Sequence, residues 1–355
     1  MLPRFRLMPL CLRSLTGALL TLIAAGCLAA PSLGLSEIAG TSGDGPITVF
    51  YPTGETARPL ALGSYTLNVA RNAAPIRGNG RLVVISHGSG GAPWPHADLA
   101  RALVEAGFVV ALPEHQGDNY KDPQRPGPEA WRRRPEEVSR AIDALGREPR
   151  FAPLLKLDRV GAYGMSAGGH TVLSLAGGRW SPARLRTHCE AHIDDDFQAC
   201  VGLTMQLTGG LFDGAKKTLA LWAIRQRLND ATEYAHREPR IAAAVAGVPL
   251  AADFDPASLA TPPIPLAIIT ARQDKWLNPR YHGEAVLAAC ASCERLADLP
   301  RGGHGALLSP LPGGLSGLIG ELLADPPGFD RAALPEVDRR IARFFRQHLL
   351  DAGER

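Results

Sequence analysis

The chain has 355 residues, 45% of them hydrophobic, and is long enough to bury a large core as a single domain. Lys and Arg number 38 against 35 Asp and Glu, and three of the Arg precede residue 31, so the rest of the chain is balanced in charge. This balance argues against nucleic acid or an anionic membrane surface as the partner of the protein.

Residues 1–30 have the pattern of an export signal. A head with three Arg is followed by a mostly apolar run at residues 15–25 and by small residues suited to cleavage. An N-terminal membrane anchor is less consistent with the pattern, because the apolar run is short for a bilayer. Residues 23–27 also resemble a bacterial lipobox, which would make Cys27 a lipidated first residue. We therefore predict a periplasmic or secreted protein, soluble or lipid-anchored at Cys27, with its folded domain at residues 31–355.

Four cysteines follow the predicted signal, and they are Cys189, Cys200, Cys290 and Cys293. An even number of cysteines in an oxidising compartment favours disulfides, here Cys189 with Cys200 and Cys290 with Cys293. A zinc site on the second pair is the alternative, but the chain has no second C-x-x-C motif to complete it. The acidic run at residues 194–196 could bind a cation together with His188 and His192, although a solvated loop is the simpler interpretation. We predict no resident metal.

Short apolar runs alternate with helical patterns along the chain. This alternation predicts an α/β fold in which helices cover both faces of a mostly parallel, eight-stranded sheet. The predicted strands are residues 47–51, 65–69, 82–86, 108–112, 159–163, 241–248, 266–270 and 294–298. The predicted helices are residues 97–106, 135–145, 167–175, 283–289 and 335–350. Residues 179–240 interrupt the alternation, and we interpret them as an insertion with a helix at 215–229 that either caps a site or lies remote from it.

A G-x-S-x-G motif, Gly-Met-Ser-Ala-Gly, occupies residues 164–168 between a predicted strand and a predicted helix. In this setting the motif makes a sharp turn that exposes the serine hydroxyl above the sheet. The helix that follows contributes free N–H groups and a partial positive charge where an oxyanion would form. The motif predicts that Ser166 is a nucleophile.

A serine hydroxyl needs a base, and in enzymes with this motif the acid and the base follow the serine in the order Asp, His. Asp274 follows the predicted strand at 266–270, and His304 follows the last strand in a Gly-flanked loop. The carboxyl ends of parallel strands lie at one edge of the sheet, so both side chains should reach Ser166. We predict Asp274 as the orienting acid and His304 as the base.

Other residues could take these roles. Asp253 and Asp255 follow the preceding strand and could supply the acid, although capping of a following helix is the favoured interpretation. His282 and His348 are interpreted as surface groups near helices. His170, one turn into the helix after the motif, is interpreted as a packed or hydrogen-bonded histidine.

The oxyanion of such a reaction needs two N–H donors, of which the residue after the nucleophile, Ala167, supplies one. The second is expected from residues 87–91, His-Gly-Ser-Gly-Gly, with Ser89 as the donor. Phosphate binding by this loop is not supported, because no Lys accompanies it as in a P-loop. Residues 113–118, which follow the next strand, are expected to support the loop.

Several of these segments together resemble one group of proteins. They are residues 49–52, 85–91, 114–119, 134–143 and 164–169, with Asp274 and His304. On these residues the chain resembles the bacterial predicted dienelactone hydrolases and the platelet-activating-factor acetylhydrolase-like esterases, a branch of the α/β-hydrolase superfamily. The resemblance implies hydrolysis of short acyl esters through an acyl-enzyme, with Ser89 and Ala167 at the oxyanion positions. True dienelactone hydrolases have Cys where this chain has Ser166, which speaks against lactone specificity.

These observations predict an exported serine carboxylic ester hydrolase that acts on a small ester and uses no cofactor. A peptidase or amidase with the same triad is the first alternative, because the preference for a leaving group depends on the shape of the pocket. An exported binding protein that retains the fold is the second. The presence of Ser166, Asp274 and His304 together argues against it, since the fold alone does not require them.

Overall fold

The computed structural model describes residues 32–41 and 43–353, so the predicted export signal and Cys27 lie outside the described residues. Ten strands form one sheet in the order β10-β9-β8-β7-β5-β6-β2-β1-β4-β3. They are β1 Ser32–Ile38, β2 Ile47–Thr53, β3 Arg58–Leu62, β4 Tyr65–Arg71, β5 Leu82–Ser86, β6 Val109–Pro113, β7 Val160–Met165, β8 Ile241–Gly247, β9 Leu266–Ala271 and β10 Glu294–Leu299. The six strands from β10 to β6 are parallel, and β2 continues the sheet antiparallel to β6.

Helices lie on both faces of the sheet, as predicted. They are α1 Ala97–Glu105, α2 Pro128–Arg147, α3 Ala167–Leu175, α4 Pro182–His192, α5 Phe197–Val201, α6 Asp213–Arg227, α7 Pro256–Leu259, α8 Gly283–Ala289, α9 Gly317–Leu323 and α10 Leu334–Leu349. Successive residues of β5 point to opposite faces of the sheet and pack in two separate cores. Leu82 and Val84 pack in the core shared with α2 and α3, whereas Val83 and Ile85 pack in the core shared with α1 and α10. None of the helices within the described residues is long and apolar enough to cross a membrane.

The sheet has ten strands rather than the predicted eight. The two additional strands are β1, which pairs antiparallel with β2 and parallel with β4, and β3, which pairs antiparallel with β4. β3 is half exposed and contains Pro59, so it lacks the continuous apolar run by which the buried strands were recognised. α2 also begins at Pro128 instead of at the predicted residue 135. Pro135 lies inside the helix, and Gly127, with a φ of 92°, precedes its first turn.

Residues 179–240, which were predicted to be an insertion, contain helices α4, α5 and α6. Both predicted disulfides are present, Cys189 with Cys200 inside this segment and Cys290 with Cys293 directly after α8. The first joins α4 to α5 and closes the turn that carries Asp196. Side chains of all three helices pack in the core shared with α2 and α3.

Asp338 of α10 makes the stability of the domain dependent on pH. Burial, reinforced by Asp98 on α1, raises the pKa of Asp338 from 3.8 to about 7. The folded state therefore keeps a proton that the unfolded state loses near pH 4, and the free energy of unfolding falls as the pH rises from about 4 to about 7. We expect Asp338→Asn to melt several degrees higher than the wild type at pH 8, with an advantage that shrinks toward pH 4. A melting-temperature difference that is the same at pH 4.5 and pH 8 would contradict this assignment.

Candidate active site

Ser166 occupies the single residue between the end of β7 and the start of α3. Its backbone angles, a φ of 58° and a ψ of −121°, are strained for a residue with a side chain. The two motif glycines permit the turn, because a Cβ at Gly164 would lie 2.0 Å from the carbonyl oxygen of Gly168, and one at Gly168 would lie 1.9 Å from that of Ser86. The hydroxyl of Ser166 is thereby presented at the carboxyl edge of the sheet, where its side chain remains partly exposed.

The loops after β9 and β10 bring Asp274 and His304 to the same place. His304 Nε2 lies 3.0 Å from Ser166 Oγ, and His304 Nδ1 lies 2.7 Å from Asp274 Oδ2. Asp274 and His304 are 6% and 5% exposed, so water competes little for these contacts. The structure thus joins the three side chains predicted from the sequence into one chain of hydrogen-bond contacts.

The second oxygen of Asp274 explains how the carboxylate is held. Asp274 Oδ1 accepts hydrogen bonds from the backbone N–H groups of Trp276, at 2.8 Å, and Leu277, at 2.9 Å. These donors leave Oδ2 as the acceptor for His304. Because a carboxylate only accepts, the proton of neutral His304 must lie on Nδ1, and the lone pair of Nε2 faces the hydroxyl of Ser166.

The alternative acids and bases are engaged elsewhere. Asp253 is fully buried and lies 3.0 Å from Nε2 of His170, so it is not available to His304. Asp255 caps the short helix α7 by accepting from the N–H of Ala257. His282, interpreted from the sequence as a surface group, is instead 1% exposed. Its environment was hidden from sequence reasoning because its partners lie about 30 and 86 residues away in the chain.

The predicted oxyanion donors are the backbone N–H groups of Ala167 and Ser89. Ala167 is the first residue of α3, so its N–H has no acceptor within the helix. Neither this N–H nor that of Ser89 donates to another backbone group in the described part of the chain. The backbone at Gly88 passes close to the nucleophile, since a Cβ placed there would lie 3.5 Å from Cβ of Ser166. The segment that carries the Ser89 N–H therefore approaches Ser166, and the Ala167 N–H directly follows it in the chain.

A second serine–histidine–carboxylate chain lies buried beneath the site. His115 Nε2 contacts Ser86 Oγ at 2.7 Å, and His115 Nδ1 contacts Glu137 Oε2 at 2.6 Å. Burial lowers the pKa of His115 well below 6.5 and raises that of Glu137, so a neutral imidazole that donates to Glu137 is favoured. Ser86 is 1% exposed, and no substrate could reach it without unfolding. Through His115 the group links residues 113–118, which were predicted to support the loop at residues 87–91, to Ser86 directly before that loop. Glu137 was not predicted.

His188, Asp196 and His282 form a group whose ligand atoms lie within 4.8 Å of one another. Nδ1 of His282 accepts the N–H of Ala251 at 2.9 Å, so the proton of neutral His282 lies on Nε2, which donates to Asp196 at 2.9 Å. A metal would need the lone pair of that same Nε2, and its other nitrogen should donate rather than accept. The group therefore does not fit a metal ion.

The same group connects the insertion to the loop that carries Asp274. Asp196 accepts from the N–H of Asn278 at 2.9 Å through its second oxygen. Burial alone would raise the pKa of Asp196, but the hydrogen bonds from His188 and His282 outweigh it and hold that pKa below its usual value. The prediction of a solvated acidic loop is thus wrong for Asp196, which is buried and anchors the insertion beside the site.

Comparison with known proteins identifies the class of the fold. No protein-family model matches the sequence, and no curated protein matches it either. Among solved structures, the chain is similar to a ferulic acid esterase from Streptomyces cinnamoneus, with a TM-score of 0.57, 17% sequence identity and 92% of each chain covered. The fold is that of the α/β hydrolases, which confirms the predicted fold class. At this identity the likeness extends to the fold alone, and the narrower family resemblance stays a prediction.

Proposed function

We propose that the protein is an exported serine hydrolase that cleaves short-chain carboxylic esters through an acyl-enzyme. The observation that carries the proposal is the contact chain from Ser166 Oγ to His304 Nε2, at 3.0 Å, and from His304 Nδ1 to Asp274 Oδ2, at 2.7 Å. A strained serine on a strand-to-helix turn, a base within hydrogen-bond distance and an acid that orients the base are the parts that nucleophilic acyl transfer requires.

In the proposed reaction, His304 Nε2 takes the proton of Ser166 as Oγ attacks the ester carbonyl carbon. The N–H groups of Ala167 and Ser89 stabilise the oxyanion, and Asp274 stabilises the imidazolium that forms. His304 then returns the proton to the departing alcohol, which leaves an acyl group on Ser166. Water, deprotonated by His304, releases the acid and restores the enzyme. Apart from the ester and water, these steps use only side chains and backbone groups of this chain.

The choice of ester over amide rests on the family resemblance and on the esterase fold neighbour. Export is supported by the signal pattern of residues 1–30 and by the two disulfides, which persist in oxidising compartments. The lipid anchor at Cys27 belongs to the same proposal. Residues 179–240 are proposed to be an insertion that borders the substrate site, because Asp196 contacts the loop after Asp274.

A fluorophosphonate probe tests the nucleophile. We expect the probe to label the wild type and Ser86→Ala on the peptide that contains Ser166, and to leave Ser166→Ala unlabelled. Ser86 is the matched control because it also contacts a histidine but is buried. An unlabelled wild type would overturn the proposal and favour a binding protein.

Substrate preference is tested on the same proteins. The wild type should hydrolyse p-nitrophenyl acetate and butyrate faster than the octanoate, and all three much faster than p-nitroacetanilide. Faster hydrolysis of the anilide would favour an amidase or a peptidase instead.

A further inference from the structure

A buried guanidinium lies beneath residues 87–91, which we call the oxyanion loop. Arg134 of α2 is 0% exposed. Its Nη1 donates to the carbonyl oxygen of His87 at 2.6 Å, and its Nη2 lies 3.3 Å from that of Gly88. Nη2 also contacts the Asp118 carboxylate, at 2.7 Å, and the Asp118 carbonyl oxygen, at 3.2 Å. A buried charge is tolerated only when it is paired and hydrogen-bonded, and here the loop supplies many of those bonds.

The carbonyl group of Gly88 is held from several directions. It accepts from Arg134, from Nδ1 of His87 at 2.7 Å and from the N–H of Gly91 at 3.1 Å. In a trans peptide the C=O of one residue and the N–H of the next point in opposite directions. Donors that hold the Gly88 carbonyl on one side therefore turn the Ser89 N–H to the other side. The direction of the proposed oxyanion donor is thus decided by groups beneath the loop.

The contacts of His87 indicate a tautomer that can donate to the Gly88 carbonyl group. Nε2 of His87 accepts the N–H of His115 at 3.3 Å, so the proton lies on Nδ1 and is donated to Gly88. Burial lowers the pKa of His87 well below 6.5, and the neighbouring His115 and Arg134 lower it further. His87 therefore stays neutral and keeps its single donor on the Gly88 carbonyl.

Asp118 holds the other side of the loop. Its Oδ1 accepts from the hydroxyl of Ser89 at 2.6 Å and from the N–H of Gly90 at 2.9 Å, while Oδ2 is paired with Arg134. The Ser89 side chain is therefore tied to Asp118, and its backbone N–H is left unpaired. Arg134 thus binds the carbonyl group of the Gly88–Ser89 peptide bond, and Asp118 binds the Ser89 side chain that follows it.

The geometry points to Arg134, with Asp118 as its counter-ion, as a positioning residue that orients the Ser89 N–H toward the oxyanion. The inference rests on the proposed function, because an oxyanion forms only if Ser166 attacks an acyl group. Arg134 itself does not touch substrate. Arg134 preorganises the oxyanion donor. Its loss should therefore reduce the stabilisation of the transition state much more than the affinity for the substrate.

Two variants of Arg134 separate its charge from its shape. Arg134→Lys keeps the charge but not the planar fork of donors, and Arg134→Gln removes both. Arg132→Gln is the control, because Arg132 lies two residues earlier on α2 and is exposed. With p-nitrophenyl acetate we expect kcat to fall about 10²-fold in Arg134→Gln and about tenfold in Arg134→Lys, while KM stays within about threefold of the wild type.

A trifluoromethyl ketone supplies a readout that a merely structural role would not change. Ser166 Oγ adds to its carbonyl carbon, the hydroxyl proton passes to His304, and the carbonyl electron pair becomes an oxyanion. Its affinity should weaken in each Arg134 variant by the same factor as kcat/KM. Unchanged ketone affinity, or a rise in KM with kcat preserved, would overturn the inference.

Melting curves show whether each variant folds. If the Arg134 variants do not fold, Ser89→Ala tests the inference instead. This change removes only the hydroxyl of an exposed residue and its contact with Asp118. A severalfold loss of kcat at unchanged KM would support the inference, and an unchanged kcat would overturn it. If the proposed function itself is wrong, the wild type and Arg132→Gln would also be inactive and would not react with the fluorophosphonate probe. This result differs from a loss confined to the Arg134 variants.

Discussion

Ser166→Ala, His304→Ala and the double variant should each hydrolyse p-nitrophenyl acetate with a kcat about 10⁶-fold below that of the wild type. The reason is the 3.0 Å contact between Ser166 Oγ and His304 Nε2, through which one proton transfer activates the nucleophile. Once either partner is missing, the other has no proton to give or take. The two losses should therefore not multiply.

The comparison of single and double variants is the sharpest part of this test. A double variant that loses the product of the two single effects would show that the residues act independently. A His304→Ala variant that retains most of the activity would point to another base. Circular dichroism and melting curves should match the wild type, because each change removes one side chain from the edge of the sheet. Residual rates need protein free of contaminating esterases.

Asp274→Asn should lower kcat by about 10⁴-fold without unfolding the protein. Two backbone N–H groups, those of Trp276 and Leu277, already bind Oδ1 of Asp274, so the amide oxygen of Asn would occupy that position. The amide nitrogen would then face Nδ1 of His304, and two donors would meet. His304 is expected to move its proton to Nε2, which removes the lone pair that Ser166 needs.

Asp255→Asn is the matched control for Asp274→Asn. Asp255 was a rival for the acid, but it caps α7 and pairs with Arg179 at the surface. Its replacement should leave kcat within about twofold of the wild type and change stability little, because Asn accepts the same N–H and caps a helix as well as Asp does. A large loss of kcat in Asp255→Asn, with little loss in Asp274→Asn, would reverse the assignment.

Residues 179–240 contact the loop that carries Asp274. Asp196 joins His188 of α4 to His282 and to the N–H of Asn278, four residues after Asp274. Residues 179–240 and the loop that carries Asp274 share one buried carboxylate, that of Asp196. That these residues cap the site stays a prediction.

Local patterns in the sequence were sufficient to predict the fold class and to nominate Ser166, Asp274 and His304. The reason is geometric, since parallel strands end at one edge and a residue just past a strand end must lie there. The G-x-S-x-G motif is similarly local, because its two glycines and its strand-to-helix setting lie within a few residues of Ser166. The cysteine pairs are also close in sequence, and both disulfides formed as predicted.

Only the tertiary structure decided which polar groups are buried and what they bind. Arg134, in a helix of mixed charge, showed no signal of its position beneath the oxyanion loop, and His282 and Asp196 were expected at the surface. Their partners lie up to 86 residues away, and a buried charge or imidazole is stable only when those partners converge on it. Such convergence depends on the packing of several elements at once, and no local pattern records it.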